Sequence, residues 1–320
     1  MLEWQASQSA PLVMIQPTAF HRPRLLIVGC GDVGMRLLPL LGGRFRVFAL
    51  TSRRERCAEL RGAGAVPIVA DLDRPGTLRR LRGLADWVLH LAPPQPDGAI
   101  DRRTRHLAAA LGRTARLVYV STSGVYGDCG GELVRETRPV APRNARAQRR
   151  VDAERVLRAW ALAGGTRLAI LRVPGIYAAE RLPLKRLEQG TPALRPEDDV
   201  YTNHIHADDL ARIVLLALLR ARGAGRVVHA VDDTRMKMGD YFDAVADAFH
   251  LARPPRLARA ELRTAVTPML LSFMSESRRL DNTRLKRELR VRLRYPDVAA
   301  ALAQLAAAPV QSGTQNERPA

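Results

Sequence analysis

Short, nearly continuous apolar runs recur along the chain and alternate with segments in which apolar residues return every three or four positions. The runs predict seven β-strands, at residues 25–28, 47–50, 65–69, 87–91, 117–121, 168–173 and 227–230. The first five are apolar at almost every position, which is typical of strands covered on both faces. Segments such as 101–111 and 147–162 have helical periodicity. This alternation predicts an α/β fold, a Rossmann-like, doubly wound parallel sheet.

The regular alternation occupies residues 23–178, and the pattern loosens afterwards into Pro- and Arg-rich segments. In this second part, helices are predicted near residues 209–222, 239–251 and 298–307. We expect residues 179–308 to form a smaller C-terminal substrate or lid region, whose strand at 227–230 returns to the main sheet. Residues 1–22 are expected to be an N-terminal tail, and residues 309–320 a disordered end.

Composition narrows the class of protein. Of the 320 residues, 47% are hydrophobic and 26% are charged, as in soluble globular proteins. No apolar run is close to the ~20 residues that a membrane-spanning helix needs. The opening Met-Leu-Glu-Trp-Gln lacks the basic flank and apolar block of a secretory signal. The three cysteines form no CxxC pair, so the expectation is a cytoplasmic protein without a membrane partner or a disulfide framework.

The formal net charge is +19, and all but three of the 51 basic residues are arginine. Such an excess of arginine, beside abundant alanine, is typical of a bias of the whole composition rather than of a binding surface. A basic chain attracts polyanions at low salt, so a non-specific nucleic-acid binder is one alternative. No zinc-finger, aromatic RNA-binding or heptad pattern accompanies the charge, and specific nucleic-acid binding is not expected. No metal site is expected, because His204 and His206 lack a third ligand.

Three glycines follow the first predicted strand in GxGxxG spacing and open a helix: Gly29, Gly31 and Gly34, with Asp32 and Val33 between the last two. In this motif the first glycine makes the tight turn, the second lets the backbone approach a pyrophosphate, and the third allows close packing of helix and strand. The helix N-terminus then presents N–H groups to the phosphates. Glycines here are also compatible with a plain tight connection. Their place in a doubly wound pattern favours nucleotide binding, and predicts that residues 23–178 are an NAD(P)-binding Rossmann domain.

The end of the second predicted strand decides between NAD and NADP. An NAD site usually presents Asp or Glu there to the ribose hydroxyls. This chain instead has Thr51, Ser52, Arg53 and Arg54. Hydroxyl and guanidinium groups suit a 2′-phosphate, so NADP(H) is the preferred prediction. Glu55 leaves NAD(H) possible.

Six motifs in order give the chain a resemblance to the extended short-chain dehydrogenase/reductase family, also called NAD-dependent epimerase/dehydratases. Besides the glycine motif they are Ala70-Asp-Leu72, His90-Leu-Ala-Pro93, Val120-Ser-Thr-Ser-Gly-Val-Tyr-Gly127, Leu171-Arg-Val-Pro-Gly-Ile-Tyr177 and His206-Ala-Asp-Asp-Leu-Ala211. The resemblance implies that Asp71 contacts the adenine. It also implies cofactor contacts for Leu91, Ala92, Pro93, Val173 and Pro174.

The catalytic residues depart from that family, which uses a Ser or Thr beside the substrate and a Tyr-x-x-x-Lys on the next helix. The resemblance places Thr122 at the Ser/Thr position with Ser123 as its neighbour, and it places Arg146 at the tyrosine and Arg150 at the lysine. Arginine stays protonated and cannot replace the tyrosine as an acid. Arg150 is expected to hold the nicotinamide ribose. Arg146 is expected to face a carboxylate or phosphate of the substrate, unless both belong to a solvated helix face.

Two tyrosines are candidates for the missing proton donor, Tyr126 and Tyr177, although packing roles are an alternative for both. The overall prediction is an NADP(H)-dependent oxidoreductase or epimerase-like enzyme, of an atypical branch with a degenerate active site, that acts on a small anionic substrate. The alternative is a catalytically degenerate NADP(H)-binding sensor or scaffold. A homodimer through the helices at 101–111 and 147–162 is possible.

Overall fold

A computed structural model of the protein describes residues 22–307. In chain order the strands are β1 (Arg24–Val28), β2 (Arg46–Thr51), β3 (Val66–Val69), β4 (Trp87–His90), β5 (Arg116–Thr122), β6 (Leu133–Val134), β7 (Arg167–Val173), β8 (Gly175–Tyr177), β9 (Ala193–Leu194), β10 (Tyr201–Thr202), β11 (His204–His206), β12 (Ala224–His229), β13 (Met236–Lys237), β14 (Arg256–Leu257) and β15 (Arg279–Leu280). The α-helices are α1 (Asp32–Leu41), α2 (Cys57–Gly62), α3 (Arg102–Ala110), α4 (Ala145–Gly164), α5 (Leu184–Glu188), α6 (Ala207–Arg220), α7 (Met238–Ala248), α8 (Arg259–Ala265), α9 (Pro268–Phe273), α10 (Thr283–Glu288) and α11 (Val298–Ala307).

Seven strands form one parallel sheet in the order β12-β7-β5-β4-β1-β2-β3. The prediction of a doubly wound parallel sheet is confirmed. The strand order reverses direction between β1 and β4, and ligands of such sheets bind outside the carboxyl ends at this switch point. The fold therefore places the glycine turn after β1 at the expected position for a cofactor.

The two faces of the sheet are both covered, which explains the nearly continuous apolar runs. Along β1, Leu25 and Ile27 belong to one buried cluster, with α1 and α6. Leu26 and Val28 point to the opposite cluster, with α3 and α4. A period of two along the strand thus fills two cores at once.

The C-terminal part of the chain contributes both to the main sheet and to a further layer. The helix α6 lies under the main sheet beside α1, and β12 pairs in parallel with β7 at the sheet edge. A further apolar cluster joins α5, α7, α8 and α11, and we call these helices the lid layer. Residues between 179 and 307 therefore belong partly to the sheet and partly to the lid layer. Within the described residues, no helix combines the length and apolar character needed to cross a bilayer.

Candidate active site

The glycine turn is shaped for a close backbone approach. Gly29 has φ +84°, and a Cβ there would lie 2.6 Å from the backbone of Ala92. A Cβ on Gly34 would lie 2.9 Å from the Sγ of Cys30. Gly31, directly before α1, has no protein atom within 4 Å of a Cβ position. The turn is therefore packed against the protein at two glycines and open at the third, which fits a pyrophosphate at the N-terminus of α1.

An ionic cluster connects the start of α1 with the segment after β8. Arg36 pairs with Asp32 at 2.8 Å and also with Asp208 and Glu180. Arg181 pairs with Asp32 at 3.0 Å. The acidic partners raise the pKa of Arg36 against the effect of its burial. The cluster fixes the segment that carries Arg181 next to the glycine turn, and the sequence analysis did not foresee it.

The β2 end has the arrangement expected for a ribose-binding loop. The Thr51 hydroxyl accepts a hydrogen bond from the backbone N–H of Arg53 at 3.2 Å. Ser52, Arg53 and Arg54 are exposed, as is Glu55. Arg56 is a neighbouring cation that the sequence analysis did not single out. It donates to the Cys30 carbonyl of the glycine turn at 2.6 Å.

The predicted cofactor residues Asp71, Leu91, Ala92 and Pro93 follow β3 and β4 at the carboxyl edge of the sheet. The Leu91 N–H donates to the Val28 carbonyl at 2.9 Å, which holds the segment after β4 against β1. Ala92 is buried and Pro93 is exposed. The Asp71 carboxylate accepts from the Asp73 N–H at 2.9 Å, so it is fixed by its own loop at the end of β3.

A cavity of about 670 Å³ lies at the carboxyl ends of β5 and β7. The sheet register pairs Thr122 with Val173 at these ends. Because Arg181 also lines the cavity, the ionic cluster makes it a neighbour of the glycine turn. The predicted residues that the structure brings together in its wall are Thr122, Ser123, Arg146, Arg150, Val173, Pro174 and Tyr177.

Arg150 is anchored to the strand that carries Thr122. Its Nη1 donates to the Val120 carbonyl at 2.9 Å and to the Tyr119 hydroxyl at 3.1 Å. Arg146 lies one turn earlier on α4, with its guanidinium carbon 4.6 Å from the Phe273 ring centre. Partial desolvation lowers the pKa of Arg146, although the side chain stays accessible. Both guanidinium groups therefore border the cavity beside Thr122.

Thr122 retains a free hydrogen-bond donor. Its Oγ1 accepts from the Gly124 N–H at 3.2 Å and so begins a short 3-10 turn at Ser123–Tyr126. The hydroxyl hydrogen is left to donate to a ligand oxygen. This is the arrangement required of a residue that orients a substrate carbonyl or hydroxyl.

Tyr126, a predicted proton donor, is not brought to the cavity. It is only 1% exposed, and its hydroxyl lies 2.6 Å from Nε2 of His229 and 2.7 Å from Nη1 of Arg172. Burial raises its pKa, which the Arg172 charge partly offsets. The packing alternative fits this placement because every hydrogen-bonding position of the phenol is directed at the protein interior.

Tyr177 borders the cavity with its ring but not with its hydroxyl. The hydroxyl oxygen is enclosed and lies beside the Asp232 carboxylate. Burial, and then the nearby Asp232 carboxylate, raise the pKa of Tyr177. Burial also raises the pKa of Asp232 to about 7. Tyr177 therefore contributes to the cavity wall, while its hydroxyl is enclosed.

Several lining residues were missed by sequence reasoning. His204 is 5% exposed, its ring centre lies 4.3 Å from that of Tyr241, and burial lowers its pKa to about 3. Its Nε2 has no partner among the described residues. Arg186, Arg278 and Glu276 also line the cavity. These residues come from segments without periodicity, so no local pattern marked them.

The chain is similar in sequence to known proteins over most of its length. The profile of the "NAD dependent epimerase/dehydratase family" matches residues 25–230. The uncharacterized protein y4nL of Sinorhizobium fredii (strain NBRC 101917 / NGR234) is 25% identical over 265 residues, which cover 76% of this chain and 73% of that protein.

Solved structures give the same result for the fold. A functionally unknown conserved protein from Silicibacter pomeroyi DSS is 28% identical, with a TM-score of 0.73 over 89% of this chain and 98% of that chain. DesIV, a dTDP-glucose 4,6-dehydratase from Streptomyces venezuelae solved with NAD, is 23% identical, with a TM-score of 0.70 over 88% of this chain and 95% of that chain. The family match over residues 25–230 includes the glycine turn and the strands at the switch point of the sheet. The chain belongs to the NAD-dependent epimerase/dehydratase family.

Proposed function

We propose that the protein is an NADP(H)-dependent oxidoreductase or epimerase-like enzyme that acts on a small anionic substrate. The charge of the cavity wall carries this proposal. Five arginines line it, namely Arg146, Arg150, Arg181, Arg186 and Arg278, against the single carboxylate of Glu276. Glu276 is already paired with Arg278 at 2.8 Å. Such an excess of guanidinium groups in a concave site favours carboxylate or phosphate ligands.

The crevice fits a dinucleotide because no protein atom fills the space beside Gly31 at the N-terminus of α1. Gly29, Gly31 and Val33 would hold the pyrophosphate, while Asp71, Leu91 and Ala92 would border the adenosine. A nicotinamide cofactor supplies hydride transfer when it is bound. NADP(H) is favoured over NAD(H) because Arg53 and Arg54 are exposed at the end of β2.

The residues beside Thr122 suit stabilisation of charge rather than proton transfer. A guanidinium cannot act as an acid near neutral pH, but it stabilises negative charge that develops on a carbonyl oxygen. Thr122 donates a hydrogen bond to the same oxygen and Arg146 binds the adjoining anionic group. Arg150, fixed by Val120 and Tyr119, borders the cofactor side. Water supplies the proton, since the hydroxyls of Tyr126 and Tyr177 are enclosed.

Turnover of NADPH tests the proposal. The full chain is incubated with NADPH and a panel of 2-oxo acids, aldehydes and quinones, and absorbance at the NADPH band is followed. We expect oxidation with 2-oxo acids and much less with neutral carbonyls of equal size. Arg146→Ala should lower kcat/KM about 100-fold. Arg155→Ala removes an exposed charge from the same helix and should have no effect.

The enclosed tyrosines favour a second candidate, an NADP(H)-binding sensor or scaffold without turnover. Calorimetry separates the two functions. Tight NADPH binding with no oxidation by any panel member supports the sensor. Absence of NADPH binding contradicts both candidates.

A further inference from the structure

The Arg186 guanidinium in the cavity wall forms no ion pair with an acidic side chain of the described residues and is held by other contacts. Nη2 of Arg186 donates to the Pro192 carbonyl at 2.6 Å, and Nε is enclosed without a partner. The guanidinium carbon lies 4.0 Å from the Phe242 ring centre. Burial alone shifts the pKa of Arg186, downward to about 10, with no contribution from a charged neighbour in residues 22–307. A half-buried cation of this kind is costly unless an anion joins it.

Two other arginines of the wall have acidic partners. Arg278 is paired with Glu276 at 2.8 Å, and Arg181 with Asp32 at 3.0 Å. Arg146 and Arg150 lie together on α4 and line the cavity beside Thr122. Arg186 lies on α5, so it gives the wall a second cationic group on a different helix.

The wall that leads to Arg186 is aromatic. His204 packs on Tyr241 with ring centres 4.3 Å apart, and Tyr241 on Phe242 with ring centres 5.6 Å apart. Phe242 in turn carries the Arg186 guanidinium on its face. His204, Tyr241 and Phe242 all line the cavity. A ligand that extends along this row meets mostly apolar surface until it reaches Arg186.

We propose that the cavity takes a substrate with two anionic groups joined by an apolar chain. One group binds Arg146 and Arg150 beside Thr122, the chain lies along Tyr241 and Phe242, and the second group binds Arg186. This inference deepens the proposed function and rests on it for the place of the reacting carbonyl. The second group has the chemistry of a carboxylate or a phosphate.

The experiment measures dissociation constants by calorimetry on the full chain, with and without NADPH. The probes are pairs of equal length: 2-oxopentanoate and 2-oxoglutarate, 2-oxohexanoate and 2-oxoadipate, 2-oxooctanoate and 2-oxosuberate. A parallel arm replaces the second carboxylate with a phosphonate. We expect the dianion of at least one pair to bind about 10-fold tighter than its monoanion. Arg186→Ala should remove this preference and leave the affinity for the monoanion unchanged.

The matched control is Lys185→Ala, which removes an exposed charge from the neighbouring position of α5 and should preserve the preference. Equal affinity for both members of every pair in both arms would overturn the inference on the unaltered protein, whatever the variant's folding. So would an equal loss of monoanion and dianion in a folded Arg186→Ala. Selective dianion binding without NADPH oxidation would support the inference while the proposed activity fails. Oxidation of monoanions without dianion preference would leave the activity and remove the inference.

Discussion

Tyr126 and His229 lie 103 positions apart in the chain and share a 2.6 Å hydrogen bond in the protein interior. Nδ1 of His229 faces the Asp281 carbonyl at 2.9 Å, so it carries the ring proton and Nε2 accepts from the phenol. The Tyr126 oxygen in turn accepts from Arg172 at 2.7 Å. Tyr126, which lies in the turn that Thr122 begins, therefore connects β7, β12 and the C-terminal segment through hydrogen bonds. Its hydroxyl is not placed for proton transfer to a ligand in the cavity.

The same network predicts a large loss of stability when Glu154 is replaced. Arg172 donates to Glu154 at 3.1 and 2.8 Å, and both side chains are almost fully buried. Removing one partner leaves a buried charge uncompensated, so Glu154→Gln should lower the free energy of unfolding by about 3 kcal/mol. Urea unfolding measures it. Arg158 also reaches Glu154, at 3.5 Å, but is 40% exposed. Arg158→Ala should therefore lose under about 1 kcal/mol, and equal losses would contradict the argument.

Buried neutral histidines predict a loss of stability in mild acid. Burial lowers the pKa of His90 and His204 to about 3 and of His229 to about 4. Unfolding restores values near 6.5, so the unfolded chain binds more protons as the pH falls below about 6.5. Asp232, with its pKa raised to about 7, acts in the opposite direction. These four groups together should remove about 3 kcal/mol between pH 6.5 and 5. Urea titrations at the two pH values test this, and an unchanged midpoint would contradict it.

The contribution of Asp232 to stability should have the opposite pH dependence to that of the histidines. A carboxyl whose folded pKa is raised contributes stability that is full below about 3.8 and is lost as the pH rises through about 7. Its Oδ1 accepts from the Thr234 N–H at 2.9 Å, which an amide oxygen can continue to do. Asp232→Asn should therefore raise the free energy of unfolding at pH 8 by about 2 kcal/mol or more and leave it unchanged at pH 4. A gain of equal size at both pH values would show that the charge is not its source.

The sheet and the glycine turn were predictable because their signals are local. The strands β1 and β4, which are neighbours in the sheet beside Gly29, are buried on both faces. Their apolar composition alone predicts them. The family resemblance placed Thr122 and Arg150 in the site, and both line the cavity. Asp101 caps α3, which it precedes directly in the sequence, by accepting from the Thr104 N–H at 3.0 Å.

The lid side of the cavity was not predictable in the same way. Arg186 comes from the short helix α5, which was not predicted, and meets Phe242 of α7 only through tertiary packing. The burial of Tyr126 depends on His229, a partner more than 100 residues away. The local sequence around Tyr126 is compatible both with an exposed loop and with a buried hydrogen-bond network. Only the fold distinguishes the two.

Two glycines of the turn separate a folding role from a binding role. A Cβ on Gly29 would lie 2.6 Å from the Ala92 backbone at a φ of +84°, so Gly29→Ala should lower the thermal midpoint as well as cofactor affinity. At Gly31 a Cβ has no protein atom within 4 Å. Gly31→Ala should therefore keep the melting temperature within about 2 °C while it weakens NADPH binding about 10-fold or more, because the methyl group enters the pyrophosphate space. Unimpaired NADPH binding by a folded Gly31→Ala would remove the cofactor from this turn.

The proposed preference for NADP(H) can be tested at the exposed arginines after β2. Arg53 and Arg54 are free to reach a 2′-phosphate, whereas Arg56 is already engaged with the Cys30 carbonyl and Glu59. A charge-assisted contact to phosphate is lost in Arg53→Ala, so the ratio of NADPH to NADH affinity should fall about 10-fold, chiefly through weaker NADPH binding. Fluorescence titration of both nucleotides measures the ratio. Arg61→Ala, an exposed residue of α2, is the control for net charge. If the double replacement of Arg53 and Arg54 leaves the ratio unchanged, the 2′-phosphate is not read by this loop, and Glu55 on the ribose hydroxyls becomes the better account.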